Sequence, residues 1–215
     1  MPAIVIFAVG SAIVVELIET CRRLGQPVAA YVRNYEGPHY VPDGLAVTEL
    51  DDLPEDVVRL DCLCPLFTPV NRHSAVRQAS ALGFTFGTTI VDPTAIVAAD
   101  LVLGAGSFVN AGVVIGAATR IGRHGIVNRS ASIGHHNQID DFVSIGPGAI
   151  LAGQISLGRG VMIGAGAIVG PGVTIGAHAV VGAGSLVLRD VPAGYKMFGS
   201  PAKPVATDLP GFVDA

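Results

Sequence analysis

The sequence predicts a small α/β lobe over residues 1–88, followed by a parallel β-helix of six-residue repeats with a C-terminal tail over residues 89–215. Three observations predict it. From Val91 to Pro192 the chain divides into 17 hexads without an insertion, and the first residue of every hexad is aliphatic. The second residue is Gly in ten hexads and Ala, Asn or Asp in six more. The first third lacks this period and alternates instead between strand-like and helix-like runs.

A hexad with one aliphatic residue and one tight corner makes one flat side of a prism. Three hexads close a coil of 18 residues, and stacked coils pair their backbones about 4.8 Å apart. The aliphatic first positions, from Val91 to Val187, then line the interior in columns. Fifth positions such as Ala131, Ala149, Ala167 and Ala179 fit narrow corners. Glycine at the second position is expected to serve the unusual backbone angles of the turns. A unit of this kind cannot bury its apolar face alone, so stability comes from stacking.

In the first lobe, residues 3–9 read as a buried strand and residues 11–24 as an amphipathic helix ending near Gly25. Residues 27–32 form a second strand, 33–59 read as irregular, and 60–66 form a third strand. A second helix starts at Thr68 or Pro69 and runs to about Leu82. This alternation points to a small Rossmann-like parallel sheet. After Ala193 the hexad register ends; residues 199–204, GSPAKP, read as an ordered loop and the last residues as loosely held.

Composition narrows the function classes. Of 215 residues, 50% are hydrophobic and 14% charged, so a highly charged disordered chain is excluded. A net charge of −4 gives no bulk attraction for nucleic acid or an anionic membrane. No apolar run approaches the roughly 18 residues of a membrane helix. The N-terminal run has no basic leader or cleavage pattern and reads as a strand. Cys21, Cys62 and Cys64 are odd in number and form no metal-binding pattern, so reduced structural thiols and a cytoplasmic location are expected. No metal site is expected.

The hexad at 133–138 places His135, His136, Asn137 and Gln138 on a solenoid otherwise built from Gly, Ala and aliphatic residues. His135 occupies the third position, where side chains point outward. Two solvated turn histidines are the plain alternative to a catalytic pair. One coil further, at 135 + 18, stands Gly153, which leaves room for a ligand and an amide to face a developing oxyanion. Asn128 lies seven residues before His135. Pro147, Ala165 and Ala183 are spaced by 18 and form a column of small residues, a trough that suits an extended chain such as pantetheine; tight turns alone also favour such residues. His124 and His178 read as surface or subunit-contact residues. In the first lobe, Gly10 and Ser11 follow the first strand where a nucleotide fold brings a phosphate to a helix N-terminus. Only one glycine stands there, and Arg33 and Asn34 replace the acid often found after the second strand.

The α/β lobe, the hexads, the segment SIGHHNQIDDFVSIGPGAILAG at 132–153 and the GSPAKP tail together resemble the bacterial sialic-acid O-acetyltransferase family of hexapeptide-repeat sugar acyltransferases. That family includes N-acetyltransferases acting on nucleotide-linked amino-deoxysugars. The resemblance implies a left-handed β-helix, acetyl-CoA as co-substrate, a nucleotide-sugar acceptor and a homotrimer with active sites between neighbouring prisms. It implies His135 as general base, His136 in the place of an acidic residue that tunes the base, and Asn128 in the site. A second family histidine falls at Ser144, so that its contact to acetyl-CoA is either lost or supplied by the serine hydroxyl. Gly153, Ala165, Ala183 and Lys203 are expected to hold the cofactor. Gly10, Ser11, Arg33 and Asn34 are expected to hold the nucleotide sugar. The function implied is acetyl-CoA-dependent N-acetylation of a sugar amine. Sugar O-acetylation and an idle trimeric scaffold are the alternatives.

Overall fold

The computed structural model describes residues 1–207; the expectation for the last few residues lies outside them. The first lobe contains β1 (Ile4–Phe7), α1 (Ile13–Leu24), β2 (Val28–Arg33), β3 (Val47–Glu49), β4 (Asp61–Leu63) and α2 (Pro69–Leu82). All four strands are parallel, in the order β3-β2-β1-β4. The alternation of β1 decides the packing. Ile4 and Ile6 face Ile13, Leu17 and Cys21 of α1, together with Phe108 and Ile126 of the β-helix. Val5 and Phe7 face Ala75, Val76 and Ala79 of α2. Each helix stops at a glycine in the left-handed region, Gly25 at φ +63° and Gly83 at φ +104°. β3 corrects the reading of 33–59 as wholly irregular: this three-residue edge strand is half-buried throughout and too short for period-two alternation to register.

The hexads form seventeen two-residue strands, from Ile90–Val91 to Leu186–Val187. The first fourteen each pair in parallel with the strand 18 residues on, as Ile126 with Ser144 and Val127 with Ile145. Three sheets result, one per side of the prism. From Val109 onward every first-position side chain is buried in the central core. Towards the start the prism is less covered, and Val97 is 37% exposed.

Glycine's role in the hexad differs from expectation. Positive φ falls at the fourth position, in fourteen consecutive hexads from Gly106 to Gly184, and half of these residues are not glycine: Ala118, His124, Ser130, His136, Phe142, Gln154 and His178. The second-position glycines answer to close approach instead. A Cβ on Gly146 would lie 2.6 Å from the Ala165 nitrogen, and one on Gly164 would lie 2.5 Å from the Ala183 nitrogen. The next coil passes too near for any side chain. The tail also departs from expectation. The strand Lys196–Phe198 continues one sheet and pairs antiparallel with Lys203–Ala206, so GSPAKP is the bend of a hairpin and the start of its second strand.

Arg72 of α2 joins the lobes. It is 1% exposed and donates to the carbonyls of His124, Phe142 and Val143, to the Ser144 hydroxyl, and to the carbonyls of Leu66 and Phe67. No helix among the described residues is long and apolar enough to cross a membrane.

Two glycines near one corner separate the two roles. Gly146→Ala should cost about 1–3 kcal/mol through overpacking between coils. Gly148→Asn, at φ +64° with nothing within 4 Å of the new Cβ, meets no clash and should cost no more than about 1 kcal/mol, the residual strain of asparagine in the left-handed region. Chemical denaturation of the pair reads the difference.

Candidate active site

The prism has three edges. The first carries His135, His136 and Gly153. Both histidines are exposed, and their Nδ1 atoms lie 3.0 Å apart with the rings nearly perpendicular at 86°. One imidazole therefore donates to the other. A Cβ on Gly153 would lie 2.7 Å from His135 Cε1 and 2.8 Å from Nε2. The glycine makes room for the imidazole itself, which settles over the coil above; the sequence had assigned that room to a ligand. Its carbonyl accepts from the Gly172 amide, while its own N–H has no hydrogen-bond partner among the described residues. Asn137, fully buried, locks the corner: its Nδ2 donates to the Gly134 and Ala152 carbonyls and its Oδ1 accepts from the Ile155 amide at 2.7 Å. A polar residue at an interior fifth position was the signal for that anchor.

Asn128, Ala165 and Ala183 stand on another edge of the prism and do not meet His135 within one chain. Asn128 Oδ1 accepts from Asn110 Nδ2 at 2.9 Å and from the Arg129 amide at 2.8 Å, forming a rung between stacked coils. Ala165 and Ala183 are exposed. Beside Ala183 lies an apolar recess of about 450 Å³ bounded by Met162, Val180, Lys196 and Phe198. Lys203 lines a separate recess of about 500 Å³ with Arg189. Of the two alternatives for Ser144, a lost contact or one supplied by its hydroxyl, the structure fits the first. Ser144 is fully buried, donates to the Phe67 carbonyl at 2.5 Å and accepts from Arg72. Its hydroxyl is spent on the lobe junction.

In the first lobe, Tyr35 lies across Gly10 so closely that a Cβ there would fall 2.2 Å from its hydroxyl. The left-handed residue of this turn is Ala8, at φ +68°. Ser11 opens the helix through its carbonyl, which accepts from the Val14 amide. Arg33 is paired with Glu49 through two nitrogens, and that hydrogen bond holds its guanidinium above the usual arginine range. Asn34 Nδ2 donates to Gln78 of α2 at 2.8 Å, and its buried Oδ1 has no partner.

The remaining edge corrects the reading of His124 as a surface residue. It is 4% exposed, its ring stacked on Phe142 at 4.9 Å. Its neighbour one coil earlier is Gly106, where a Cβ would lie 2.4 Å from His124 Nδ1. His178 is half-buried on the same edge.

Residues 154–189 match the family model of the bacterial transferase hexapeptide (six repeats). No curated protein matches the chain in sequence. Among solved structures, the chain is similar to a mutant of perosamine N-acetyltransferase from Caulobacter crescentus in complex with CoA and GDP-perosamine. The two share 31% identity over 96% of this chain and 98% of that one, with a TM-score of 0.84. The chain belongs to the hexapeptide-repeat sugar acyltransferases. The acetyltransferase domain of PglB from Neisseria gonorrhoeae, in complex with acetyl coenzyme A, is 29% identical over 94% of this chain and 98% of that one, with a TM-score of 0.82. WeeI from Acinetobacter baumannii, 22% identical over 94% and 99% of the two chains with a TM-score of 0.84, shares the fold. The prism is accordingly the left-handed β-helix of this family.

His124 carries a pH signature. Burial first, then the charges of Arg123, Arg72 and His73, push its imidazole down from 6.5 to about 4. The unfolded chain takes up that proton near pH 6.5 and the folded chain only near pH 4. Stability contributed above pH 6.5 is therefore lost as pH falls towards 4, by on the order of 2–3 kcal/mol. His124→Asn, which tolerates the left-handed backbone, should flatten that slope in denaturation curves taken across the window.

Proposed function

We propose that the protein transfers the acetyl group of acetyl-CoA to the amine of a nucleotide-linked amino-deoxysugar, with His135 as general base. The observation that carries this is the His135 imidazole seated over Gly153, whose amide lacks a partner, in a chain 31% identical throughout to a GDP-perosamine N-acetyltransferase. When His135 Nδ1 donates to His136, Nε2, beside Gly153, keeps its lone pair to receive a proton. His136 thereby fixes the tautomer that a carboxylate would otherwise fix. The sugar nitrogen forms a bond to the acetyl carbon, the carbon–sulphur bond breaks, and the proton of the amine passes to His135 Nε2. The Gly153 N–H donates to the oxygen that becomes negative in between.

The trough of Ala165 and Ala183, with its apolar recess, fits the pantetheine arm, and Arg189 and Lys203 fit its phosphates. Gly10, Ser11, Arg33 and Asn34 gather at the carboxyl ends of β1 and β2, where parallel sheets hold nucleotides. Occupancy there requires Tyr35 to leave Gly10. His135 stands on one edge while Asn128, Ala165 and Ala183 stand on another, so a complete site needs two copies, as in a homotrimer. Three buried free cysteines accord with a reducing cytoplasm.

His135→Ala should lower turnover about 10²–10⁴-fold in a thiol-release assay with acetyl-CoA and nucleotide amino sugars. Gly153→Ala should do similar damage by displacing the imidazole. An unchanged rate in His135→Ala removes it as the base. Acetylation of a hydroxyl sugar in preference to the amine overturns N-transfer. A mixing experiment tests the shared site. His135→Ala and Ala165→Trp, each inactive alone, should regain roughly a quarter of native activity when coexpressed, because mixed rings restore some intact interfaces.

A further inference from the structure

The edge that carries His124 holds a cavity that acetyl transfer does not use. It measures about 330 Å³ and lies where α2 meets the β-helix, away from the His135 edge. Arg77 of α2, with Arg123 and Arg159 of the β-helix, lines it. Asp141 is the only carboxylate in that lining, and its Oδ1 already accepts the Arg123 amide at 2.6 Å. The remaining charge is positive. Three guanidiniums around one space repel each other and favour an anion with several oxygens.

Two further observations point to a ligand. His124 lines the cavity while only 4% exposed, and its imidazole has no hydrogen-bond partner among the described residues. Its ring nitrogens are not sealed off by protein atoms, so they are open to a ligand in the cavity. The wall around it is aromatic. Phe86 meets the His124 ring edge-on at 5.0 Å, and Phe142 stacks on its other side, with the Arg159 guanidinium over the Phe142 ring at 5.3 Å. The volume lies within the roughly 300–1,000 Å³ range of small-molecule sites.

We propose that this cavity binds an organic phosphate of mononucleotide size. Its phosphate meets Arg77 and Arg123, its flat portion lies along Phe86 and Phe142, and His124 supplies a ring nitrogen for a hydrogen bond. The site lies at the lobe junction, on the same helix whose Gln78 holds Asn34 of the substrate lobe.

Calorimetric titration of the full-length protein with AMP tests this without reference to turnover. Saturable binding is expected in the native protein and in Arg33→Ser. The double variant Arg77→Ser/Arg123→Ser should bind about tenfold or more weakly, with circular dichroism showing the fold retained, since both side chains are exposed. Inorganic phosphate should bind more weakly than AMP. No AMP binding, or binding lost in Arg33→Ser but kept in the double variant, overturns the proposal. Equal affinity for AMP and inorganic phosphate overturns its aromatic part.

Discussion

Closure of the coil after 18 residues is the constraint from which the rest of this structure follows. Because no residue is inserted between the first and last strands, every side chain sits above its counterpart one coil earlier. A functional residue is then defined by what the stack places over it. His135 finds Gly153, and His124 finds Gly106. Asn128 finds Asn110. In each case the partner is small or complementary because the two share one column, although 18 residues separate them.

The second constraint is the seat of the α/β lobe on one side of the prism. Arg72 presents a guanidinium to six oxygen acceptors and no carboxylate. Burial pushes it down to about 9, so it remains charged at neutral pH. A guanidinium with five donors satisfies outward-turned corner carbonyls of two successive coils, which a lysine with three donors does not match. Those carbonyls belong to left-handed residues, His124 and Phe142, whose geometry exposes them. The coil's own turn chemistry thus creates the socket that orients the α/β lobe.

The period of the hexads was legible because one aliphatic position in six leaves a mark no other architecture makes. The contact between His135 and Gly153 was legible for the same reason, since adding 18 locates it. Other features carried no such mark. Ser144 has the register of an outward residue, and only the docking of α2 buries it. His124 has the register of a surface turn, yet Phe86 and Phe142 close over it. Fourth-position φ was hidden because Gly, Ala, Ser, Gln, His and Phe all occupy it. At that position stacking enforces the backbone, at a cost of roughly 1–2 kcal/mol for a residue with a Cβ. Arg72 looked like one of several helix arginines, because its acceptors lie in other parts of the chain.

The division of the candidate site between edges has a chemical rationale. A trough able to hold an extended thioester must be lined by small residues, since any side chain would fill it. A general base needs a side chain that projects and is held by its own neighbours. One column of a stacked coil cannot be both bare and armed at the same height. Ala165 and Ala183 on one edge and His135 on another meet both demands, and in the proposed assembly two edges from neighbouring copies would bring base and thioester together. In the proposed assembly the same apposition would cover apolar side chains such as Ile150 and Ile168, 46% and 41% exposed on the side that joins those edges. Burial of that surface and assembly of the proposed site would then draw on one contact.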